Sequence, residues 1–146
     1  MKKNLTALLA VILLLTSPTF ANDTREPSLQ IQNEFNRMFA QSTEVKWEEV
    51  SNFHKVTFMY AEQYLTAYYN ASGEFVSVSR NISTNMLPIL LQKGLRDKLV
   101  GSWVSESFEV SGNNGTNYYV TIENATEKTL YSSNSTNWSV NKDTQK

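Results

Sequence analysis

Few residues in this chain could carry out covalent or acid–base chemistry. The sequence has no cysteine and a single histidine, His54, so a Cys–His pair is excluded and a serine triad could use only that imidazole. No G-x-S-x-G nucleophile elbow accompanies it. His54 alternates in line with Val56 and Phe58, which is typical of a histidine at the end of a strand. The same counts exclude a zinc site of cysteine and histidine ligands, and we predict neither a metal ion nor a cofactor.

Carboxylates are the remaining candidates for catalysis. Glu48 and Glu49 are adjacent in an alternating stretch, so on a strand they would project to opposite faces and could not act as a pair. Asp23 and Asp143 lie in polar terminal segments, and Asp97 lies on the solvent side of a predicted helix. No D-x-D-x-D-G loop for calcium is present. We therefore predict no catalytic residues, with a carboxylate-dependent envelope hydrolase as the open alternative.

The start of the chain has the composition of a signal peptide. Lys2 and Lys3 precede the apolar run Leu8–Leu15, and Thr19-Phe20-Ala21 places small residues where a signal peptidase cuts. The run is shorter than the about 20 apolar residues that span a bilayer. We predict a bacterial signal peptide at 1–21, cleavage after Ala21, a periplasmic or secreted protein, and no membrane anchor after cleavage. The alternative is that the segment is retained as an anchor.

Charge restricts the partners. Removing Lys2 and Lys3 lowers the basic count from 13 to 11 against 14 acidic residues, so the mature net charge is 11 − 14 = −3. The longest basic stretch, Leu95-Arg96-Asp97-Lys98, is interrupted by an acid, and the concentrated cationic surface that nucleic acids need is missing. Without disulfides, the remaining residues must be stabilised by their own core.

Hydrophobic periodicity predicts the first half. From Ser28 the apolar residues Ile31, Phe35, Met38 and Phe39 recur at helical spacing. The period then becomes two between Val45 and Arg80, which predicts four short antiparallel strands. The turns are expected at Ser51-Asn52, Glu62-Gln63 and Asn70-Ala71-Ser72-Gly73.

The second half repeats this order. Ser83-Thr84-Asn85 is predicted to cap a second helix with Pro88 in its first turn and Gly101 just beyond its end. Gly94, inside this helix, predicts close approach of the helix to the sheet. The helix stripe is Leu87, Leu91, Leu95 and Leu99, and about four further strands lie between Val104 and Val140.

We therefore predict an α+β fold of two helix-plus-antiparallel-meander repeats (α-β-β-β-β twice), with the helices packed on one face of the antiparallel sheet. The repeats span about 28–82 and 83–140 within a single domain, 22–146. Trp47–Ser51 pairs with Ser107–Ser111, and Val56–Phe58 pairs with Val120–Ile122. The alternative is that all helix-on-sheet proteins share such patterns.

Tyrosines occur on both faces of the predicted strands. A sheet covered by helices on one face turns the other face to solvent, so one set of tyrosines is expected to be exposed. Tyr64, Tyr68 and Tyr119 are the candidates for a protein-binding face, because tyrosine is enriched at interface hot spots. The alternative is that cross-strand aromatic pairs only stabilise the sheet.

Several segments together resemble a known family, the secreted PepSY-like domains, also described as β-lactamase-inhibitor-like, of Bacteroidetes-type bacteria. They are Trp47-Glu48, Val56-Thr57-Phe58, Ala67-Tyr68-Tyr69-Asn70 with Gly73-Glu74-Phe75, and Leu87-Pro88. The resemblance implies an exported α+β protein and no catalytic residues. We expect an exported binding module that acts by protein–protein contact on an unknown envelope or secreted protein, restraining or inhibiting an envelope enzyme such as a peptidase. A structural or assembly role through an open sheet edge is a further alternative.

Overall fold

The structure, a computed structural model, describes residues 26–134 and 136–141. The predicted signal peptide lies outside these residues. The described part of the chain has two α-helices and eight strands that follow one another in chain order in an open antiparallel sheet, so the predicted α+β fold is confirmed. The elements are α1 (Leu29–Met38), β1 (Thr43–Val50), β2 (Phe53–Tyr60), β3 (Gln63–Asn70), β4 (Phe75–Asn81), a 3-10 turn (Thr84–Met86), α2 (Ile89–Arg96), β5 (Trp103–Gly112), β6 (Gly115–Glu123), β7 (Lys128–Ser133) and β8 (Ser139–Val140).

The chain divides into two compact units between Val78 and Ser79. Each unit contains one helix and a set of antiparallel strands, which is the element order expected of a repeat; the duplication itself stays a prediction. Within the described residues no helix has the length and hydropathy needed to cross a membrane.

The core of the first unit forms between α1 and one face of its strands. Ile31 and Phe35, four residues apart on α1, are buried against Val56 and Phe58 of β2 and against Tyr69 of β3. Phe35 packs edge to face with Trp47 and Phe58, with ring centroids 5.3 and 4.9 Å apart. Such contacts add to the burial energy of large aromatic side chains, so this aromatic cluster holds α1 on the sheet.

The turn between β3 and β4 is built by Asn70. Its side-chain oxygen accepts hydrogen bonds from the backbone N–H groups of Ser72 (3.1 Å) and Glu74 (2.9 Å), the arrangement that makes asparagine common in turns. Gly73 has φ +87°, and a Cβ atom there would lie 3.2 Å from Cγ1 of Ile31. Glycine therefore allows both the backbone angle and the close approach of the turn to α1.

The core of the second unit repeats this arrangement with aliphatic residues. Leu91 and Leu95 of α2 are buried against Val120 and Ile122 of β6. A Cβ atom on Gly94 would lie 3.4 Å from the indole of Trp138, the residue that precedes β8. The neighbour of this glycine is therefore a side chain, and the predicted close approach of the helix to the sheet stays a prediction. The Trp138 Nε1–H donates to the carbonyl oxygen of Leu91 at 2.9 Å.

The ends of α2 differ from the prediction. The helix begins at Ile89, after a separate 3-10 turn, because proline disfavours helical angles in the residue before it, and Leu87 is extended with ψ 151°. The helix ends at Arg96, and Asp97 occupies the C-cap. Gly101, with φ +72°, therefore lies in the connection to β5 and does not end the helix.

Each unit ends in a protected strand edge. The pairing of β1 with β2 is interrupted by a bulge between Thr43 and Lys46, where Glu44 has φ 53°. At the other end β8 has only two residues. Bulges, charges and short strands are the usual protection against edge-to-edge pairing, so these edges do not favour an assembly role.

Candidate functional site

The face of the first unit that points away from α1 is set by strand alternation. Val56 and Ala67, which lie directly opposite each other, are in the α1 core, so their neighbours along the strands point to the other side. We call this the non-helix face of the first unit. It comprises Lys46 and Glu48 of β1, Lys55, Thr57 and Met59 of β2, and Tyr64, Thr66 and Tyr68 of β3.

The centre of this face is an ordered polar network. Glu48 accepts from the Lys55 ammonium at 2.9 Å and forms an ion pair with Lys46 at 3.2 Å. The hydrogen bond from Lys55 is the main cause that holds the pKa of Glu48 below its ordinary value. Thr57 and Thr66 place their hydroxyl oxygens 3.5 Å apart. These side chains are held in place before any partner arrives, which lowers the entropy cost of binding.

Two tyrosines on this face have opposite environments. Tyr64 is 57% exposed, and its hydroxyl donates to the Glu44 carboxylate. Tyr68 is fully buried beside the Glu48 network, and its hydroxyl has no hydrogen-bond partner among the described residues. Burial, followed by the negative charge of Glu48, raises the pKa of Tyr68. Of these two tyrosines, only Tyr64 is therefore accessible to a partner.

The non-helix face of the second unit carries a stacked aromatic pair. Phe108 and Tyr119 are cross-strand partners with ring centroids 5.1 Å apart and planes at 16°. Both are buried, and burial raises the pKa of Tyr119 to about 12. This face comprises Trp103, Glu106, Phe108 and Val110 of β5, Asn117, Tyr119, Thr121 and Glu123 of β6, and Lys128, Leu130 and Ser132 of β7.

Trp103 is the exposed aromatic residue at the end of this face. Its side chain is 52% exposed, and it lies opposite Glu123. Along the same face, Glu106 accepts from the Thr121 hydroxyl at 3.1 Å and lies 3.9 Å from Lys128. Each unit thus has a large exposed aromatic side chain next to an ordered polar group.

The three tyrosines predicted from the sequence all lie on non-helix faces. The expectation that they are exposed is met at Tyr64 and is wrong at Tyr68 and Tyr119. Tyr68 lies at mid-sheet beside an ion-pair network, and Tyr119 lies flat against Phe108. Alternation predicts on which face of the sheet a side chain lies, but it does not predict whether neighbouring side chains bury it.

Sequence reasoning missed Trp103 as a surface residue. Strict alternation would place Val104 on the same face as Glu106, Phe108 and Val110. The structure has a bulge between Val104 and Glu106, and because a bulge adds one residue to one strand, it reverses the alternation at that point. Val104 therefore packs in the α2 core, and Trp103 lies on the same face as Phe108.

His54 and the carboxylates are the side chains of the described residues considered for acid–base chemistry. His54 lies within β2, partly buried and opposite Glu49 and Tyr69. No group of three or more histidine or carboxylate side chains in the described ranges could hold a metal ion. Several carboxylates have cationic partners: Glu34 with Arg37, Glu48 with Lys46 and Lys55, Glu106 with Lys128, and Glu109 with Arg80.

Comparison with known proteins adds information on the fold. No protein-family model matches the chain, and no curated protein matches its sequence. A BLIP-like protein from Bacteroides fragilis is 16% identical, with a TM-score of 0.70 over 85% of this chain and 94% of that one. The chain shares the fold of this BLIP-like protein.

Two further Bacteroides structures agree with this result. A DUF2874 family protein from Bacteroides uniformis has a TM-score of 0.72 at 12% identity, covering 79% of this chain and 86% of that one. A predicted periplasmic protein from Bacteroides eggerthii has a TM-score of 0.66 at 9% identity, covering 74% and 80%. The resemblance to β-lactamase-inhibitor-like proteins of such bacteria is thereby confirmed at the level of the fold, whereas the PepSY-like name has no counterpart in these matches.

Proposed function

We propose that this protein is an exported, non-enzymatic binding module that acts by protein–protein contact and restrains an enzyme of the bacterial envelope, such as a peptidase. The observation that carries the proposal is the pair of exposed aromatic residues, Tyr64 and Trp103, each on the non-helix face of its unit. Tyrosine and tryptophan are the side chains that most often dominate interface energies. The fold likeness to a BLIP-like protein and to a predicted periplasmic protein supports this role and location.

The polar groups beside these aromatics fit a contact surface better than a catalytic site. Glu48 and Glu106 are engaged by lysines and a threonine of the chain itself. A glycoside hydrolase with two carboxylates needs one of them protonated and the other free to attack or to activate water. The pKa of Glu48 is lowered, which is the wrong direction for a general acid. The carboxylate-dependent hydrolase is therefore the less favoured alternative.

The test is site-specific photo-crosslinking of the mature protein in envelope extract. A photoreactive phenylalanine at position 64 or 103 is expected to crosslink to the same partner, whereas one at position 100 is not. Val100 is the control because it is exposed and lies outside both non-helix faces. Crosslinks that are equal at all three positions would contradict a defined binding face.

A second measurement separates binding from restraint. The crosslinked partner is purified, and its activity is measured with and without the mature protein. Tyr64→Ala and Trp103→Ala are each expected to weaken inhibition by tenfold or more, since truncation of a hot-spot residue costs about 2 kcal/mol. Val100→Ala is expected to leave inhibition unchanged. Full activity of the partner at saturating protein would refute the inhibitory role while leaving the contact surface intact.

A further inference from the structure

The outer side of α2 combines exposed aliphatic and cationic residues. Leu91 and Leu95 face the core. On the exposed side, Ile89 is 74% and Leu90 is 53% exposed, and Lys93 and Arg96 follow them along the helix. Side chains three and four positions apart are neighbours on a helix surface. These four residues therefore form one continuous surface, the α2 outer face, and the exposed Met86 lies just before it.

The first unit supplies an internal comparison. Both helices bury their third and seventh residues, Ile31 and Phe35 in α1 and Leu91 and Leu95 in α2. The first position is an exposed aliphatic residue in both helices, Leu29 and Ile89. At the other three matched positions, α1 carries amides where the α2 outer face has an aliphatic or cationic residue. They are Gln30 against Leu90, Asn33 against Lys93, and Asn36 against Arg96. Because α1 packs on its strands without such side chains, a helix of this fold does not require Leu90, Lys93 and Arg96 for its packing.

The cations of the α2 outer face have no salt-bridge partner within residues 26–134 and 136–141. Neither Lys93 nor Arg96 forms a salt bridge with a described residue, whereas Arg37 of α1 binds Glu34 at 2.6 and 3.1 Å. Asp97, the exposed C-cap residue, follows Arg96 with one carboxylate. The two cations exceed this one acid, so the surface is positive on a chain whose net charge is −1. Unpaired cations next to exposed aliphatic side chains indicate a ligand that is both anionic and apolar.

We infer that the α2 outer face binds the surface of a bilayer that contains anionic phospholipid. Ile89 and Leu90 enter the boundary between head groups and acyl chains, and Lys93 and Arg96 contact the phosphates, as in interfacial amphipathic helices. A purely acidic surface would satisfy the two cations but leave the two aliphatic side chains without apolar contacts. Because α2 packs on the opposite side of its sheet from the non-helix face, membrane binding leaves Trp103 accessible.

The experiment is co-sedimentation of the mature protein with large vesicles. One set contains phosphatidylcholine alone, and the other contains equal parts of phosphatidylcholine and phosphatidylglycerol. Binding is expected only to the anionic vesicles and to weaken with salt. Lys93→Gln with Arg96→Gln should lower the partition coefficient about 25-fold, roughly fivefold per cation. Ile89→Ser with Leu90→Ser should lower it at least about tenfold.

The matched controls come from α1. Leu29 is 76% exposed in the first turn of that helix, so Leu29→Ser and Arg37→Gln remove similar groups from a face without the combined pattern. Both are expected to keep wild-type binding. The inference is overturned if the wild type does not sediment with anionic vesicles, if it binds neutral vesicles equally, or if the α1 controls lose binding as much as the α2 variants. Retention on polyglutamate that depends on Lys93 and Arg96, without vesicle binding, would assign the face to an acidic protein instead.

Discussion

Gly73→Ala tests the packing of the β3–β4 turn on α1. The backbone of Gly73 has φ +87°, and the new methyl group would lie 3.2 Å from Cγ1 of Ile31. Gly101, with φ +72° and no atom within 4 Å of the position of a Cβ, is the matched control. The loss of unfolding free energy in Gly101→Ala measures the backbone cost alone. The loss in Gly73→Ala also includes the contact of the new methyl group with Ile31.

The expected magnitudes follow from these two terms. A left-handed backbone costs a non-glycine residue about 1–2 kcal/mol, and the lower entropy of the unfolded chain returns about 0.4–1 kcal/mol. Gly101→Ala should therefore lower the free energy of unfolding by about 1 kcal/mol. At Gly73 the overpacking of the core adds at least about 1 kcal/mol, for a total of about 2–3 kcal/mol.

The assay is urea unfolding followed by circular dichroism. With a slope of about 1.5 kcal/mol/M, the midpoint of Gly73→Ala should lie about 1 M below that of Gly101→Ala. Ile31→Ala removes the Cγ1 atom, so a double-mutant cycle between Ile31 and Gly73 should show a coupling of about 1 kcal/mol. Equal costs at the two glycines, with no coupling to Ile31, would refute the close packing of the turn.

Three further predictions concern single side chains. Ala61 has φ 47° in the β2–β3 turn, so Ala61→Gly should raise the thermal midpoint of unfolding. Ala71→Gly, at an exposed turn position without a positive φ, is the control and should lower the midpoint. Equal shifts of the two midpoints would contradict the backbone argument. Because the folded pKa of Glu48 is lowered, its stabilisation is present above the ordinary pKa of 4.5 and is lost as pH falls through the folded value. Glu48→Gln should therefore flatten the acid side of the stability curve. An acid side equal to that of the wild type would show that the Lys55 contact does not stabilise the fold. For Tyr119, the measurement is an absorbance titration of the wild type from which the titration of Tyr119→Phe is subtracted. The difference should show a step near pH 12, because burial raises the pKa of Tyr119 to about 12. A step at the ordinary value of 10.0 would show that the ring is solvated.

The elements of the fold could be predicted from the sequence because their cores are periodic. Ile31 and Phe35 of α1, and Leu91 and Leu95 of α2, recur every fourth residue, and both pairs are buried. Asparagine and glycine mark the β3–β4 turn, where the Asn70 side chain and the Gly73 backbone form it. Local chemistry and global packing agree at these positions, so short-range patterns were sufficient.

The candidate site could be predicted only in part. Alternation placed Tyr64, Tyr68 and Tyr119 on the correct side of the strands, but their exposure depends on neighbours from other strands. The bulge before Glu106 reverses the alternation of β5 without a glycine to mark it. Trp103 therefore became recognisable as an exposed residue only when the strand pairing was known.

The positions of the three tryptophans make the protein its own fluorescent reporter. Trp47 packs in the aromatic core of the first unit, Trp138 donates to a helix carbonyl in the second, and Trp103 meets solvent. Variants that keep one indole would therefore follow the melting of each unit separately. Emission from Trp103 alone would shift to the blue when a partner covers it, without an added dye.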